Sequence, residues 1–359
     1  MIAVYSPDVP PRPGGVSDHV LALARALAAH GPPPLVLARD GDPGRFAPAT
    51  CVTGLGPLDA PRVAADRGAR CLLLEYVPFL YGRSGIAPAL LRLPSHCRRA
   101  GITLALFVHE PWVPFTRPAW LLTGLPQRAQ LALLARRAAH VYTPVPRFAA
   151  MVRRWAGPAA DVRVAPVGAT IAPSTVDRAT ARARLGLGED RIVVGVFSPG
   201  ASGFAHDWIS AAAARLAGEQ RVTWILFGNG SASAPLHIPG DASVITVGEA
   251  DAPVVADTMR ALDLAAQPYV DGLTLRRTGA MLALASGVPL VSSTGALYDP
   301  VAGALAACEA DPAAFADRLL VLCRDPAARA AVAQRALGYP ATASVDALAA
   351  RLRRDLDTA

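Results

Sequence analysis

The chain alternates between short apolar segments and amphipathic segments, and it does so in two separate series. Buried strands are predicted at residues 2–5, 34–38, 71–76, 102–108, 141–143 and 162–165. A Pro-, Thr- and Ala-rich stretch at 166–177 is typical of a linker. Strands are predicted again at 191–197, 222–227, 243–247, 262–267 and 288–292. Because strands that alternate with helices form parallel sheets covered on both faces, the sequence predicts two doubly wound α/β domains facing each other across a cleft.

Length and composition agree with this division. The chain has 359 residues, more than one ordinary core accommodates, and 52% of them are hydrophobic while 18% are charged. We predict a first domain at 1–168 and a second at 169–340. A helix within 341–359 is expected to pack back on the first domain.

All 35 basic residues are arginine. Mechanisms that need a lysine as Schiff base, general base or phosphate ligand are therefore excluded. The first 170 residues contain 19 arginines against nine acidic residues, so this half is strongly basic. It is expected either to face an acidic substrate or the surface of an anionic membrane, or simply to be a solvated arginine surface. No motif or aromatic-rich basic run indicates binding to nucleic acid.

The five cysteines are far apart in sequence and show no metal-ligand spacing, which is typical of reduced thiols in a cytoplasmic protein. The chain starts directly with a predicted strand, and no apolar run is long enough to cross a bilayer. We therefore expect a cytoplasmic protein, with peripheral contact to the inner face of the membrane as a further expectation from the basic half.

Glycines follow the first predicted strand, in the sequence Pro13, Gly14, Gly15 and Val16. Glycines at this position let backbone amides approach a ligand, and the amino terminus of the next helix favours a negative charge. The alternative is a turn that only connects two elements. Asp18 and His19, in the first turn of that helix, are candidates for contact with a substrate.

Polar residues follow two other buried strands. His109 and Glu110 come directly after the strand at 102–108, and Glu75 and Tyr76 end the strand at 71–76. Ligands of α/β proteins bind at the carboxyl ends of strands, so a histidine and a carboxylate there are suited to bonding hydroxyls or moving a proton. The alternative is a loop with a structural histidine.

An apolar loop follows at residues 112–122. It begins with Trp112 and includes Phe115 and Trp120. One interpretation is that it lines an acceptor pocket or touches a membrane interface together with Arg117, Arg136 and Arg137. The alternative is that it packs against its own domain.

The second half contains a segment, 271–293, that combines a polar loop, a helix of small residues ending at Gly287 and a buried strand. The loop holds adjacent arginines, Arg276 and Arg277, at the predicted start of the helix. Positive charge there is mildly unfavourable, so an anion such as a diphosphate is expected to compensate it. The alternative is two solvent-exposed arginines. Gly228 to Gly230 and residues 198–203 are further glycine-rich turns, without the spacing of a dinucleotide site.

Other catalytic chemistries have no support in the sequence. The patterns GxSxG, HExxH and the P-loop are all absent. Asp355 and Asp357 lie near the carboxyl terminus in a sequence that does not predict a metal site.

In this order the motifs resemble the retaining nucleotide-sugar glycosyltransferases of the GT-B type, glycosyltransferase family 4. The resemblance covers nearly the whole chain and includes His109 with Glu110, residues 164–168, Gly228 to Gly230, and Val247 with Gly248. Its most specific part is 283–291, Ala-Leu-Ala-Ser-Gly-Val-Pro-Leu-Val, which is similar to the helix and strand that follow the family's donor-site loop.

The resemblance implies a GT-B fold, an NDP-sugar as donor co-substrate, no other cofactor and no metal. The acceptor would be a carbohydrate, a lipid-linked or a small molecule. The residues implied at the donor site are Gly14, Gly15, Val16, Gly228, Val247, Gly248, Asp271, Gly272, Thr274, Arg276, Arg277 and Thr278. Those implied at the acceptor are Asp18, His19, Glu75, Tyr76 and Trp112, and those implied in catalysis are His109, Glu110 and Arg276.

The sequence also departs from the family. The family usually has two glutamates eight residues apart. If Leu282 stands at the position of the second, the first is replaced by Thr274. If Asp271 replaces the first, the position eight residues later is Gly279. The usual arginine and lysine after the first strand of the second domain are absent, and only His206 is a candidate cation. The arginine pair would take over the phosphate binding of these two cations.

A non-catalytic GT-B-like partner protein and an NDP-sugar epimerase are therefore alternatives. Donor and acceptor identities are not predicted.

Overall fold

The structure, a computed structural model, describes residues 1–12, 14–113, 119–201, 203–219, 221–240, 242–339 and 343–357. Pro13 of the glycine motif, Phe115 and Arg117 of the apolar loop, and Ser202 of the glycine-rich turn lie outside the described residues. Contacts divide the chain into two compact units, Met1–Thr170 with Val345–Ala359, and Ile171–Ser344.

The first unit contains seven strands, all paired in parallel, in the order β3-β2-β1-β4-β5-β6-β7. The strands are β1 (Ile2–Asp8), β2 (Leu35–Asp40), β3 (Thr50–Val52), β4 (Cys71–Tyr76), β5 (Thr103–Val108), β6 (His140–Thr143) and β7 (Val162–Val164). The α-helices described in this unit are α1 (Gly15–Ala29), α2 (Ala60–Asp66), α3 (Leu93–Arg99), α4 (Ala119–Ala135), α5 (Pro146–Ala156) and α13 (Val345–Leu356).

The second unit contains six parallel strands in the order β10-β9-β8-β11-β12-β13. They are β8 (Ile192–Phe197), β9 (Val222–Phe227), β10 (Ser243–Gly248), β11 (Leu264–Gln267), β12 (Leu290–Ser293) and β13 (Ala307–Glu309). The helices are α6 (Arg178–Arg184), α7 (His206–Arg215), α8 (Ala252–Ala261), α9 (Thr278–Ala285), α10 (Pro300–Ala304), α11 (Pro312–Arg324) and α12 (Pro326–Ala336). The predicted class, two doubly wound parallel-sheet units, is confirmed.

The sheet of the first unit is buried on both faces because its strands are apolar at successive positions. Ala3 and Tyr5 of β1 belong to one core, whereas Ile2 and Val4 belong to the other, which also contains the buried face of α1. Side chains alternate between the two faces of a strand, so a strand covered by helices on both sides reads as a continuous apolar run. This explains why the long central strands were predictable.

Two predictions for this unit need correction. The sequence predicts a helix from about Pro126 to Ala139, because proline is favoured in a first turn. In the structure α4 begins earlier, at Ala119, and contains Pro126 in its interior. Proline cannot donate to the carbonyl four residues earlier, that of Leu122. Leu122 is 82% exposed, so water can donate a hydrogen bond to its carbonyl in place of the missing amide. The helix therefore continues through the proline. Strand β3 was not predicted from the sequence, since three residues give little periodic signal.

The final helix, α13, packs on α1 within the first unit. Leu348, Ala349, Leu352 and Leu356 belong to the same core as the buried face of α1. The guanidinium of Arg353 is buried with them, and its Nη2 donates to the carbonyl oxygens of Leu27, at 2.9 Å, and Pro32. These carbonyls lie at and just beyond the end of α1, where helix carbonyls lack intrahelical partners. Across the described residues, no helix is both long and apolar enough to cross a membrane.

Replacing this buried arginine should therefore destabilise the first unit. We expect Arg353→Ala to lower the free energy of unfolding by about 2 kcal/mol, because it removes a buried side chain and its charge-assisted hydrogen bonds to two carbonyls. Chemical denaturation measures the change. The control is Arg25→Ala, at an exposed position of α1 in the same unit, which should alter stability by less than about 0.5 kcal/mol. Equal losses in both variants would contradict the role given to Arg353.

Candidate functional site

In the second unit, the turns after β8 and β9 touch each other through glycines. A Cβ atom added to Gly230 would lie 2.5 Å from Gly200 Cα, and both Gly228 and Gly230 have positive φ angles, 78° and 73°. Only glycine accommodates such an approach without displacing backbone. The Gly200 amide also donates to the Asn229 carbonyl at 2.9 Å. The two turns therefore form one rigid, backbone-lined floor at the carboxyl ends of these strands.

Neighbouring residues fix this floor on two sides. The amide of Gly228 donates to the carbonyl of Gly248 at 2.7 Å, so the predicted donor residues Val247 and Gly248 lie beside the second turn. On the other side, His206 Nε2 lies 2.7 Å from the Pro199 carbonyl oxygen, to which it donates. The sequence identified His206 as the candidate cation of this loop. In the structure its Nε2 stabilises the turn by this hydrogen bond.

The arginine pair lies in the loop between β11 and α9, where Asp271 binds both guanidinium groups. Arg276 Nη2 is 2.7 Å from Asp271 Oδ2, and Arg277 forms an ion pair with Oδ1 of the same carboxylate. The side chains of Arg276 and Arg277 are only 17% and 10% exposed, so they are not the solvent-exposed pair of the alternative interpretation. A single carboxylate thus holds both guanidinium groups beside each other.

Aromatic and glycine residues hold Arg277 in place. Its guanidinium carbon lies 4.5 Å from the ring centroid of Tyr269, a cation–π contact. A Cβ on Gly203 would lie 3.1 Å from Arg277 Nη2, so this glycine leaves room for the guanidinium. The sequence reasoning missed Tyr269. Its position two residues before Asp271, at the start of a predicted ligand loop, could have indicated it.

The rest of the loop supports Asp271 from its backbone. Gly272 packs against residues 294–295, since a Cβ there would lie 2.7 Å from the Gly295 amide nitrogen. The amide of Leu297 donates to the Asp271 carbonyl at 2.7 Å. Thr274 is fully buried, which makes it a supporting residue of the loop in this structure, and Thr278 is half-buried as the first residue of α9.

The position eight residues after Asp271 has no carboxylate and no space for one. It is occupied by Gly279, where an added Cβ would lie 2.8 Å from Phe197 Cδ1 and 3.2 Å from Gln267 Oε1. Leu282, the other candidate position, is buried. Where the resemblance leads us to expect a second glutamate, the structure instead packs α9 closely against β8 and β11.

In the first unit, Gly14, Gly15 and Val16 line a cavity of about 460 Å³ at the amino terminus of α1. Asp8, Arg12, Ser17 and Leu80 complete the lining described. Asp8 forms ion pairs with Arg12, at 3.5 Å, and with Arg39, at 2.8 Å. Asp40 pairs with the same two arginines, at 3.8 and 3.0 Å, so two carboxylates balance two guanidinium groups beside this cavity. Asp18 is exposed on α1.

Three predicted residues of this unit come together in one buried cluster, which we call the His–Glu–His cluster: His19 of α1, Glu75 of β4 and His109 after β5. His109 Nε2 is 2.6 Å from Glu75 Oε2, and His19 Nε2 is 3.9 Å from Glu75 Oε1. Burial raises the pKa of Glu75 to about 7 and lowers that of His19 to about 4, because both charged forms lose their hydration. A histidine held by a carboxylate at a strand end can bond or deprotonate a hydroxyl.

The other predicted acceptor residues are placed differently. Tyr76 follows Glu75 on β4, so its side chain enters the opposite core, where its hydroxyl accepts from Gln130 Nε2 at 3.1 Å. Trp112 is 8% exposed and packs beneath Arg128, whose guanidinium carbon is 4.9 Å from the indole centroid. The structure thus favours the packing interpretation for Trp112. Glu110 is exposed at the carboxyl end of β5.

Comparison with known proteins agrees with this architecture. Residues 191–325, in the second unit, match the family model for glycosyl transferases group 1. No curated protein sequence matches the chain.

Solved structures match the full length of the chain. The sucrose-phosphate synthase of Thermosynechococcus elongatus is 17% identical with a TM-score of 0.68, covering 99% of each chain. Anabaena HepE in complex with UDP-glucose is 17% identical with a TM-score of 0.70, covering 100% of this chain and 99% of that one. WaaG, a glycosyltransferase involved in lipopolysaccharide biosynthesis, is 13% identical with a TM-score of 0.65, covering 100% of both.

The chain therefore has the GT-B fold, and its second unit carries the sequence pattern of glycosyl transferases group 1. The predicted resemblance to GT-B glycosyltransferases is confirmed at this level. The individual site residues remain predictions, which the geometry above locates.

The contact between the two glycine turns gives a direct test of the backbone-lined floor. Gly230→Ala should lower the free energy of unfolding by at least about 1 kcal/mol, because it combines a positive φ with a backbone overlap. Gly240→Ala is the matched control, since a Cβ there meets nothing within 4 Å. Denaturant titration of both variants provides the comparison. A Gly230→Ala protein as stable as the control would show that the turns do not need this close approach.

Proposed function

We propose that the protein is a glycosyltransferase that moves a sugar from an NDP-sugar to an acceptor with retention of anomeric configuration. The observation that carries the proposal is the arginine pair, which Asp271 orients at the carboxyl end of β11, within the segment that matches the family model. Planar guanidinium groups suit phosphate oxygens, and ligands of parallel α/β sheets bind at this edge.

The arginines would act on the leaving group. Cleavage of the bond to the sugar increases negative charge on the departing diphosphate, and cations already in place stabilise that charge without reorganising. Asp271 holds both guanidinium groups and Tyr269 packs against that of Arg277, so the positions of the two cations are fixed before substrate binds. In this proposal no metal ion is needed on the diphosphate, since the arginines supply the charge, and its oxygen would accept the proton of the acceptor hydroxyl.

The glycine floor would hold the nucleotide. Backbone groups of Gly228 and the neighbouring Gly248 lie at the ends of β9 and β10, where they can contact a base or ribose closely. Because the structural neighbour HepE is described with UDP-glucose, a UDP-hexose is the first donor to assay.

The acceptor would use the first unit. His109, held by Glu75, and the exposed Glu110 offer groups that can bond hydroxyls of a carbohydrate, a lipid-linked or a small-molecule acceptor. Exposed Asp18 and the cavity at Gly14 and Gly15 lie in the same unit. The excess of arginine in this half supports an anionic acceptor or peripheral contact with an anionic membrane from the cytoplasmic side.

A second candidate function is a non-catalytic GT-B-like protein that supports an active transferase. The observation that favours it is Gly279, where packing against Phe197 leaves no space for the usual carboxylate. Nucleotide binding separates the two candidates. Calorimetric titration with UDP, GDP and their sugars should give a dissociation constant in the micromolar range for a transferase and no heat for a protein without a donor site.

Substitution of the arginines tests the proposed donor site. Arg276→Ala and Arg277→Ala should each reduce kcat/KM for sugar transfer about 100-fold or more, the usual effect of losing one preorganised donor to developing charge. Lysine at either position should restore only part of the activity, because it lacks the planar fork. Initial rates of sugar transfer from the donor that binds provide the measurement.

The control for this experiment is Arg221→Ala, at an exposed position of the same unit. It should leave the kinetics unchanged, and all variants should retain the circular dichroism spectrum of the original protein. Full activity in both pair variants would refute the donor-site proposal.

A further inference from the structure

The His–Glu–His cluster combines three metal-ligating side chains from three separate elements. His19 and Glu75 are fully buried, and the side chain of His109 is 10% exposed. One ligand atom from each residue can be chosen so that all lie within 4.8 Å of one another. Such convergence of two imidazoles and one carboxylate inside a domain is unusual, since ionisable groups are rarely buried without a specific partner.

The hydrogen bonds described in this unit leave part of the cluster unsatisfied. Glu75 Oε2 bonds His109, but Glu75 Oε1 and both ring nitrogens of His19 have no hydrogen-bond partner among the described residues. Buried polar atoms are normally paired, because leaving them unpaired forfeits their hydration without replacement. His19 in particular points a nitrogen at Glu75 from 3.9 Å, too far for a hydrogen bond.

We propose that His19 Nε2, His109 Nε2 and the Glu75 carboxylate bind a divalent transition-metal ion, with zinc as the best match. Neutral imidazole nitrogen and carboxylate oxygen are the ligands that zinc accepts, and two histidines with one glutamate form a known three-ligand set. The inference goes beyond the proposed function and does not depend on it. His109 and Glu75 are also placed near the acceptor in the proposed function, but zinc binding is measured without donor or acceptor and can therefore succeed or fail independently of sugar transfer.

The geometry requires only small movements. Around a tetrahedral ion with bonds of about 2.0–2.2 Å, neighbouring ligand atoms lie roughly 3.3 Å apart. The distance from His109 Nε2 to Glu75 Oε2, now 2.6 Å, would increase. The distance from His19 Nε2 to Glu75 Oε1, now 3.9 Å, would decrease. Each of these two changes is less than about 1 Å. The ligand atoms of the two histidines, which lie within 4.8 Å of each other, would approach by up to about 1.5 Å. The ion would replace the proton that joins Glu75 and His109, because metal ligands bind deprotonated.

The surroundings suit a site of this kind. Phe107 packs against both imidazoles, with ring centroids 5.0 Å from His19 and 4.8 Å from His109, and forms an apolar wall. An apolar wall limits access of water and strengthens binding of the ion. The small exposed part of His109 gives an entry path and a position for a fourth ligand. A bound ion would fix the ring of His109 and stabilise the first unit.

The test is metal binding by the full chain. Protein purified without chelators, and apoprotein dialysed against dipicolinate and then loaded with ZnCl₂, should each contain close to one zinc per chain by mass spectrometry. Cobalt(II) substitution should give the visible absorption of tetrahedral coordination. Zinc at a hundredfold excess over its dissociation constant should raise Tm by roughly 5 °C.

Variants distinguish this site from adventitious binding. His19→Gln and Glu75→Gln should each reduce zinc affinity at least 100-fold and abolish the cobalt spectrum. His140→Gln is the control, because His140 is a histidine of the same unit that pairs with Asp161 outside the cluster, with 2.8 Å between Nδ1 and Oδ2. It should bind zinc like the original protein.

Two results would overturn the proposal. The first is that the apoprotein takes up no zinc and shows no cobalt spectrum. This would mean that Glu75 and His109 share only a proton. The other is zinc binding that survives in both the His19 and Glu75 variants. Where a variant does not fold, the cobalt spectrum and zinc content of the original protein decide the question.

Discussion

Parallel pairing of every strand in both sheets is the constraint on which the sites depend. Because parallel strands all point the same way, the residues that follow them collect at one edge of each sheet. In the first unit this edge brings Glu75 at the end of β4 beside His109 after β5. In the second it joins the turns that begin at Ser198 and Gly228. Residues that are distant in sequence thus become neighbours without any special local structure.

That constraint explains why much of the fold was predictable. Long central strands such as β4 and β5 are buried on both faces, so their sequences are continuous apolar runs that end in polar residues. Edge strands gave a weaker signal: β3 and β13, with three residues each and only partial burial, were not predicted, whereas the edge strands β7 and β10 were. The start of α4 was also missed, because a proline in a helical pattern normally marks a boundary rather than an interior position.

The candidate sites were predictable only as positions along the chain. The sequence indicated that Arg276 and Arg277 occupy a ligand loop, but it could not show that Asp271 binds both, since that depends on how the loop turns. Likewise, Glu75 and Tyr76 are adjacent in sequence, yet the alternation of a strand sends one to the polar cluster and the other to an apolar core. The absence of space at Gly279 is a property of its contact with Phe197, which no local pattern records.

The two units handle buried charge in opposite ways. Near Asp271, two guanidinium groups share one carboxylate in the loop after β11. In the His–Glu–His cluster, two imidazoles lie beside one carboxylate, and burial raises the pKa of Glu75 while lowering that of His19. The first arrangement suits an anion, as proposed for the diphosphate. The second suits the divalent ion proposed above, which would give the carboxylate a counter-charge and His19 Nε2 a partner. The kinds of side chain that each sheet edge collects thus set the sign of the species proposed to bind there.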